Sequence, residues 1–336
     1  MEKICKWKWC LVVIAALAVV LFLWLPGGEA QDVGEINNSA DTEKPDWASE
    51  AYTIGAEEFH EDLQDTSAIK VGAICYHKFY TAEEEKNGVE FGTYTIWAEE
   101  FENHLRYLEE QKIRVITAGE LLDYLDGKLD LPEKCMMLTV DDCDISFYRY
   151  AYPLLREFGV TANAAIIGNR TDGAQEGGAY RKSYCTWDEI KEMADSGYVE
   201  FGAHTYYLHD KENGRTGTML KSDESIKTYR SVLITDLASL NQKIEECVGY
   251  QPRFFVYPYY AVSMPSIPIL RDDLGYELLF CGNSDSTYRY CGESVHMTNY
   301  NIFTKGEKPA DIMIKRYTPR AGDDFEALVQ TIFEES

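Results

Sequence analysis

Two short segments end in side chains that could carry out hydrolytic chemistry. An apolar, partly β-branched run stops on the paired carboxylates Asp141 and Asp142, and a second apolar run is followed by His204 and His209. Both runs predict buried strands. One carboxylate and two imidazoles can bind a divalent metal and leave positions open for water and substrate, while the other carboxylate can act as a base. The two segments therefore predict a hydrolytic metal site.

The spacing of the two histidines favours a strand end and its following loop over a helix. Five residues on an α-helix correspond to about 140° of rotation, so His204 and His209 would not share a helix face. This differs from the zinc-protease pattern His-Glu-x-x-His. Because the chain contains 57 Asp and Glu, the alternative interpretation is two surface histidines and an aspartate that caps a turn.

Strand-like runs alternate with helical patterns over most of the chain. The strand-like runs lie near 71–76, 113–117, 135–140, 161–167, 199–204, 253–257, 277–281 and 312–316. The helical patterns cover 98–111, 118–125, 148–158, 186–196 and 222–248. This alternation predicts a parallel sheet, which buries both faces by closing into a barrel. We expect a distorted (β/α) barrel of seven or eight parallel strands, with its active site at the strand C-termini.

The motifs in this order resemble the polysaccharide deacetylase (NodB-homology) family, which contains the carbohydrate esterases of family four. The segments that carry the resemblance are Tyr76-His77, Phe101 to Leu108, Leu131 to Asp142, Trp187 to Ala194, Val199 to His209, Phe255 to Tyr259, Leu274 to Tyr276 and Ile314 to Tyr317. They span about residues 70 to 320. The His204 to His209 spacing is one residue longer than the usual family motif and is similar to the exported poly-N-acetylglucosamine deacetylase branch.

The resemblance implies a role for each of the four polar residues. Asp142, His204 and His209 would hold a divalent metal, and two nitrogens with one oxygen and open positions suit zinc. Asp141 would be the base that takes a proton from the attacking water.

The resemblance also implies the remaining catalytic groups. The backbone amide of Tyr259 would stabilise the oxyanion, and Tyr257 of the same motif is a second candidate for substrate contact. Many family members use a histidine near the C-terminus as the acid, but the segment 314–317 contains none. The exported branch is similar to this chain in having a Tyr-His at its first strand, where the histidine serves as the acid, so the resemblance implies that His77 protonates the departing amine. A core histidine at a strand end is the alternative interpretation of His77, and His296 is a second candidate acid.

Two positions depart from the family pattern. Cys143 follows the paired aspartates and Tyr260 follows Tyr-Pro-Tyr, where the family has glycine. Glycine at such positions permits a positive φ or a close approach of the backbone to a ligand. We therefore expect these side chains to crowd the sugar or reduce turnover. The cysteines give no disulfide framework, because seven lie beyond the N-terminal segment without a repeated spacing, and Cys281 with Cys291 is the one pairing considered.

The N-terminal composition predicts export. Residues 1–30 combine three lysines with an uncharged apolar run, which is typical of a signal peptide or an uncleaved signal-anchor. Residues 31–67 resemble an acidic, disordered linker, and residues 68–336 are long enough for one domain. We expect an extracellular or cell-surface protein that meets the membrane only through its N-terminal segment. The net charge of −25 argues against nucleic acid as a partner.

The function predicted from the sequence is metal-dependent N-deacetylation of an envelope or extracellular polysaccharide, built on N-acetylglucosamine. The first alternative is an O-acetyl esterase acting on a glycan, because the same site would hydrolyse esters. The second alternative is a catalytically weak glycan-binding protein of the same fold. A serine hydrolase is disfavoured because the chain has no Gly-x-Ser-x-Gly motif. The acetylated polysaccharide is the expected partner, and the sequence assigns no oligomeric state.

Overall fold

A curled, mostly parallel sheet forms the centre of the protein. The computed structural model describes residues 68–88, 91–211, 214–282, 288–290, 293–295 and 301–335. The predicted signal segment (1–30) and linker (31–67) lie outside these residues and stay predictions. Within the described ranges, no helix has the length and apolar character needed to cross a membrane.

The strands are numbered here in chain order. They are β1 (Ala68–Tyr76), β2 (Lys78–Tyr80), β3 (Thr95–Trp97), β4 (Arg114–Val115), β5 (Lys134–Val140), β6 (Ala162–Ile166), β7 (Val199–Ala203), β8 (Phe254–Val256), β9 (Leu278–Gly282), β10 (Tyr288–Tyr290), β11 (Glu293–Val295), β12 (Ile302–Thr304) and β13 (Met313–Arg316). Every strand-like run predicted from the sequence overlaps one of these strands.

The α-helices lie between the strands. They are α1 (Ala82–Lys86), α2 (Ala98–Glu110), α3 (Ala118–Leu125), α4 (Tyr152–Phe158), α5 (Gly168–Gln175), α6 (Trp187–Asp195), α7 (Ile226–Val248), α8 (Ser266–Pro268) and α9 (Phe325–Glu335). Local sequence sets several ends: Thr117 and Thr186 form capping boxes at the starts of α3 and α6, and Gly249 ends α7 in the left-handed conformation. The pattern at 148–158 is a π-helical turn followed by α4.

The main sheet runs in the order β12-β1-β5-β6-β7-β8-β9-β13, with β4 also paired to β5. All of these pairings are parallel except that of β12 with β1. Directly after β13, Tyr317 bridges back to Ile74 of β1, where Cys75 N–H donates to Tyr317 O over 2.8 Å. The predicted distorted barrel of seven or eight parallel strands is therefore confirmed.

Strand alternation divides the buried side chains between two cores. On β1, Val71 and Ala73 pack with Met137 of β5 and Phe280 of β9, on the face turned away from the outer helices. The intervening residues pack outward against α2, α6 and α7. Because side chains alternate along a strand, Cys75, Thr139, Asp141 and Arg316 continue the inward rows at the carboxyl ends of β1, β5 and β13.

Candidate active site

The strand ends bring the predicted residues to one edge of the barrel. Asp141 and Asp142 follow β5, His204 follows β7, and His77 follows β1, the neighbour of β5 in the sheet. Parallel strands all end at the same edge, which is where barrel enzymes hold their reacting groups. His209 reaches this edge from the loop after β7.

Asp142, His204 and His209 converge on a single point, and these three residues are called the metal-binding cluster here. Oδ1 of Asp142 lies 3.5 Å from Nε2 of His204 and 3.2 Å from Nε2 of His209. One potential ligand atom from each residue lies within 4.8 Å of the others. Asp142 adopts a left-handed backbone conformation (φ 71°), which turns its side chain away from the direction taken by Asp141.

The donor set fits a divalent metal. Nδ1 of His204 lies 2.8 Å from the carbonyl oxygen of Val256, which can only accept, so Nδ1 carries the proton and Nε2 presents a lone pair. Oδ1 of Asp142 is buried and accepts no hydrogen bond from the described residues. Burial alone would raise the pKa of Asp142, but His204 and His209 hold that pKa well below its usual value. A buried carboxylate oxygen and imidazole lone pairs facing one another are the environment that a cation requires.

Asp141 is buried beside this cluster and has different partners. Its Oδ1 and Oδ2 accept hydrogen bonds from the Arg316 guanidinium over 2.6 and 2.9 Å, and the Cys75 thiol donates to Oδ2 over 3.4 Å. Burial alone would raise the pKa of Asp141, but Arg316 outweighs it and lowers the pKa to about 2. Burial raises the pKa of the Cys75 thiol to about 12, so Cys75 acts as a neutral donor. Asp141 is therefore ionised at neutral pH.

Arg316 is the functional residue that the sequence analysis missed. It is fully buried at the end of β13, where it also donates to the Thr139 hydroxyl over 3.0 Å. In the sequence, the segment 314–317 stands out only for the histidine that it lacks. The available signal was an arginine continuing the inward row of a buried strand, a position that requires a charged partner. The identity of that partner depends on closure of the barrel.

His77 follows β1, the strand that lies between β5 and the end of β13, and its ring lies beside Asp141. Its Nε2 is 3.9 Å from Oδ2 of Asp141, its Nδ1 is 3.9 Å from the Cys75 sulfur, and its ring stacks on Tyr94 with a centroid separation of 4.8 Å. The imidazole is partly exposed, at 15% of its side-chain surface. His77 therefore borders the site with access to solvent, unlike a core histidine.

The Tyr-Pro-Tyr segment after β8 forms a sharp turn at the same edge. Tyr259 and Tyr260 both have positive φ, 58° and 55°. Tyr259 is 43% exposed, and its ring lies 5.0 Å from the His209 ring, measured between centroids. Tyr259 thus lies beside His209 at the exposed border of the site.

Tyr257 requires a correction, because the structure does not bring it to the site. Its side chain is fully buried, with its hydroxyl 2.7 Å from that of Ser266, and its backbone N–H donates to Phe280 O over 3.1 Å. Neither the ring nor the amide of Tyr257 is free to bind substrate. The motif predicted a shared role, but alternation along the strand turns Tyr257 into the outer core.

The two non-glycine departures place their side chains away from the metal-binding cluster. Cys143 (φ 52°) is buried, and its thiol lies 3.5 Å from the carbonyl oxygen of Ala165. The Tyr260 hydroxyl lies 2.6 Å from that of Thr318, and the Arg316 guanidinium lies 5.4 Å from the centre of the Tyr260 ring. The expectation that these residues crowd the sugar has no support in this geometry. His296 and Cys291 lie outside the described residues.

The arrangement combines three groups needed for hydrolysis. It offers a metal-binding cluster, an ionised carboxylate beside it, and an imidazole at its solvent-facing border. Such a combination can activate water and protonate a leaving group.

Comparisons with known proteins agree with this chemistry. A family model described as polysaccharide deacetylase matches residues 128–278, in agreement with the resemblance noted in the sequence. The poly-beta-1,6-N-acetyl-D-glucosamine N-deacetylase of Staphylococcus aureus (strain MSSA476) is 24% identical over 206 residues, which cover 59% of this chain and 68% of that protein.

Solved structures share the fold. IcaB from Ammonifex degensii aligns with a TM-score of 0.58 and 25% identity, over 79% of this chain and 97% of that chain. A de-N-acetylase from Aggregatibacter actinomycetemcomitans aligns with a TM-score of 0.61 and 21% identity, over 78% of this chain and 99% of that chain. The second similarity concerns the fold alone.

Proposed function

We propose that this chain, a member of the polysaccharide deacetylase family, removes N-acetyl groups from a polysaccharide of the poly-β-1,6-N-acetylglucosamine type. The observation that carries the proposal is the convergence of Asp142, His204 and His209 with Asp141 directly alongside. The name of the Staphylococcus aureus relative supports the choice of sugar.

The proposed cofactor is a divalent metal, and zinc suits two nitrogens and one oxygen. Asp142, His204 and His209 would hold it through Oδ1 and the two Nε2 atoms. When bound, the metal polarises the acetyl carbonyl and makes the attacking water more acidic.

The protein's own groups would then move the protons. Asp141, held by Arg316 and Cys75, would accept a proton from water through a carboxylate oxygen as the water attacks the acetyl carbon. The oxyanion would be stabilised by the backbone amide of Tyr259. His77 would give a proton to the amine as the C–N bond breaks, so that acetate and a free amino sugar leave.

We place this reaction outside the cytoplasm. The lysine-rich, apolar segment 1–30 supports export, and the acidic segment 31–67 supports a tether that separates the domain from an anchor. The deacetylated product carries amines, which a protein with a net charge of −25 would attract.

The test is hydrolysis of matched substrates by the purified protein. Fully acetylated β-1,6-linked glucosamine oligomers, β-1,4-linked chitooligosaccharides and an O-acetylated xylan would be compared, with acetate and new amines both measured. We expect equal amounts of acetate and amine, fastest with the β-1,6 oligomers, and loss of both after chelation with recovery on adding zinc.

The other outcomes distinguish the alternatives. Acetate released from xylan without amines from either oligomer would favour the O-acetyl esterase. Binding of glycan without release of acetate from any substrate would favour the binding protein. Unchanged metal stoichiometry in both His204→Ala and His209→Ala would overturn the assignment of the metal ligands.

A further inference from the structure

The two histidines of the metal-binding cluster are joined by a short segment, residues 205–208, called the ligand loop here. It begins with Thr205 in a left-handed conformation (φ 81°) and includes Tyr207, whose side chain is 64% exposed. No residue of the loop contributes a ligand, yet its path sets where His209 stands relative to His204. Whatever holds this loop therefore controls the geometry of the metal site.

A buried carboxylate from α7 takes up the N–H groups of the loop. Oδ2 of Asp236 accepts from Tyr206 N–H over 2.7 Å, and Oδ1 accepts from Tyr207 N–H over 2.8 Å. Asp236 is 8% exposed, and no Lys, Arg or His pairs with it among the residues that the structure describes. A buried carboxylate without a cation is costly unless its hydrogen bonds are well made, so this placement requires a compensating role.

The other side of the loop is held by α5. The N–H groups of Gly168 and Asn169 donate to the carbonyls of Thr205 and Tyr206, each over 3.1 Å. A Cβ on Gly168 would lie 2.3 Å from a ring carbon of Tyr206, so this ring packs directly on the glycine.

The Tyr206 hydroxyl is held in turn by α5 and α7. It donates to Asp172, which also accepts from Trp187 Nε1 over 2.7 Å and from Lys243 Nζ over 2.9 Å. The N–H groups of Tyr206 and Tyr207 and the carbonyls of Thr205 and Tyr206 are thus all paired with the two flanking helices.

We propose that Asp236 is a positioning residue that pre-forms the ligand loop and thereby sets the metal affinity of the site. This inference rests on the proposed function, because it assumes that His204 and His209 are ligands. Groups that orient metal ligands typically contribute about 10- to 100-fold in affinity. Asp236 would act through the loop backbone, where both carboxylate oxygens are needed at once.

The test replaces Asp236 by asparagine, which keeps the shape but turns an NH₂ group toward one of the two loop N–H donors. We expect Asp236→Asn to weaken zinc binding about 10- to 100-fold in a competition with a chromophoric chelator. At saturating zinc, kcat should recover while KM stays unchanged. The matched control is Glu246→Gln, the same chemical change on an exposed part of α7, with zinc affinity as in wild type.

Two further measurements keep the inference separable from the proposed function. Wild-type protein that binds no zinc would overturn the proposed function itself. Wild-type binding with equal affinity in folded Asp236→Asn would overturn only the role of Asp236. Because Asp236→Asn could fail to fold, hydrogen exchange on metal-free wild-type protein provides an independent test. The Tyr206 and Tyr207 amides should be protected without zinc, and rapid exchange there would refute a pre-formed loop.

Discussion

Two adjacent aspartates serve different purposes because their backbone directions and neighbours differ. Asp141 continues the inward row of β5 and pairs with Arg316, whereas the left-handed turn at Asp142 directs that side chain to the two imidazoles. Chemically identical groups thus receive a cationic partner in one case and a metal-binding environment in the other. Single substitutions can separate the two roles.

Asp141→Asn should abolish turnover while leaving bound metal in place. Asparagine keeps the shape but cannot take a proton from water, so we expect a loss of about 10²- to 10⁴-fold in kcat. Metal content and kcat should be measured on the same folded protein, because Arg316 loses its counter-charge and stability will fall as well. If Asp141→Asn loses metal and Asp142→Asn retains it, the two roles are reversed.

His77→Ala should reduce amide hydrolysis by about 10²- to 10⁴-fold, the usual contribution of a general acid. Metal content should not change, since the proposed ligands are Asp142, His204 and His209. Cys75, His77 and Asp141 form a second group of potential ligands, but both carboxylate oxygens of Asp141 already accept hydrogen bonds from Arg316. The loss should be much smaller on an activated aryl acetate, because a good leaving group departs without a proton. Equal losses on both substrates would show that His77 has another role, and normal amide hydrolysis would show that another group supplies the proton.

At the scale of elements, the pairing of β9 with β13 supports the pocket that holds Asp141. Gly282 lies opposite Arg316 in this register. A Cβ on Gly282 would lie 2.7 Å from Cγ of Tyr260, whose ring in turn lies beside the Arg316 guanidinium. The absence of a side chain at position 282 therefore makes room for a tyrosine where the family has glycine.

Gly282→Ala should destabilise the protein by about 1–3 kcal/mol, because the Tyr260 ring must move within a packed site. In a Tyr260→Ala background the same change should cost much less, giving a coupling energy of about 0.5–3 kcal/mol. Urea unfolding of the four proteins measures this cycle. Gly92→Ala is the control, since its nearest neighbour would be 3.8 Å away. Additive effects of the two changes would refute the contact.

At the scale of the whole molecule, the C-terminal helix is joined to the barrel through a buried histidine. His104 of α2 stacks on Phe325 of α9 with a centroid separation of 3.8 Å, and its Nδ1 lies 3.1 Å from the Tyr76 hydroxyl at the end of β1. Burial lowers the pKa of His104 to about 3. The folded protein therefore keeps this imidazole neutral.

Folding stability should decrease as the pH is lowered, because His104 is held neutral in the folded protein. The unfolded chain binds a proton on this histidine below its ordinary pKa of 6.5, whereas the folded chain binds it only near 3. Stability is thus lost progressively from pH 6.5 down to about 3. At pH 4 the free energy of unfolding should be lower than at neutral pH by about 3 kcal/mol on account of His104. Urea unfolding of metal-free protein should show a flatter pH dependence for His104→Gln than for wild type. Asn103→Gln, an exposed neighbour on α2, should retain the wild-type slope, and an unchanged slope in His104→Gln would contradict the prediction.

The sequence by itself determined the elements and the residue types of the site. Strand and helix periodicity depend on local spacing, so the parallel barrel and the strand-end positions of Asp141 and His204 could be predicted. The motif order could likewise predict the similarity to polysaccharide deacetylases. His209 could be identified by its residue type and motif. Its position relative to His204 could not be predicted, because it lies in a loop without a periodic pattern.

Only the tertiary structure decided which groups meet across the barrel. Arg316 reaches Asp141 because β13 closes onto β1, and Asp236 reaches the ligand loop because α7 packs beside β7. Tyr257 lies in the outer core, because its position directly after β8 faces the surrounding helices and not the site. These contacts join residues far apart in the chain. Local patterns do not encode such pairs, because partner choice depends on how strands close and helices pack.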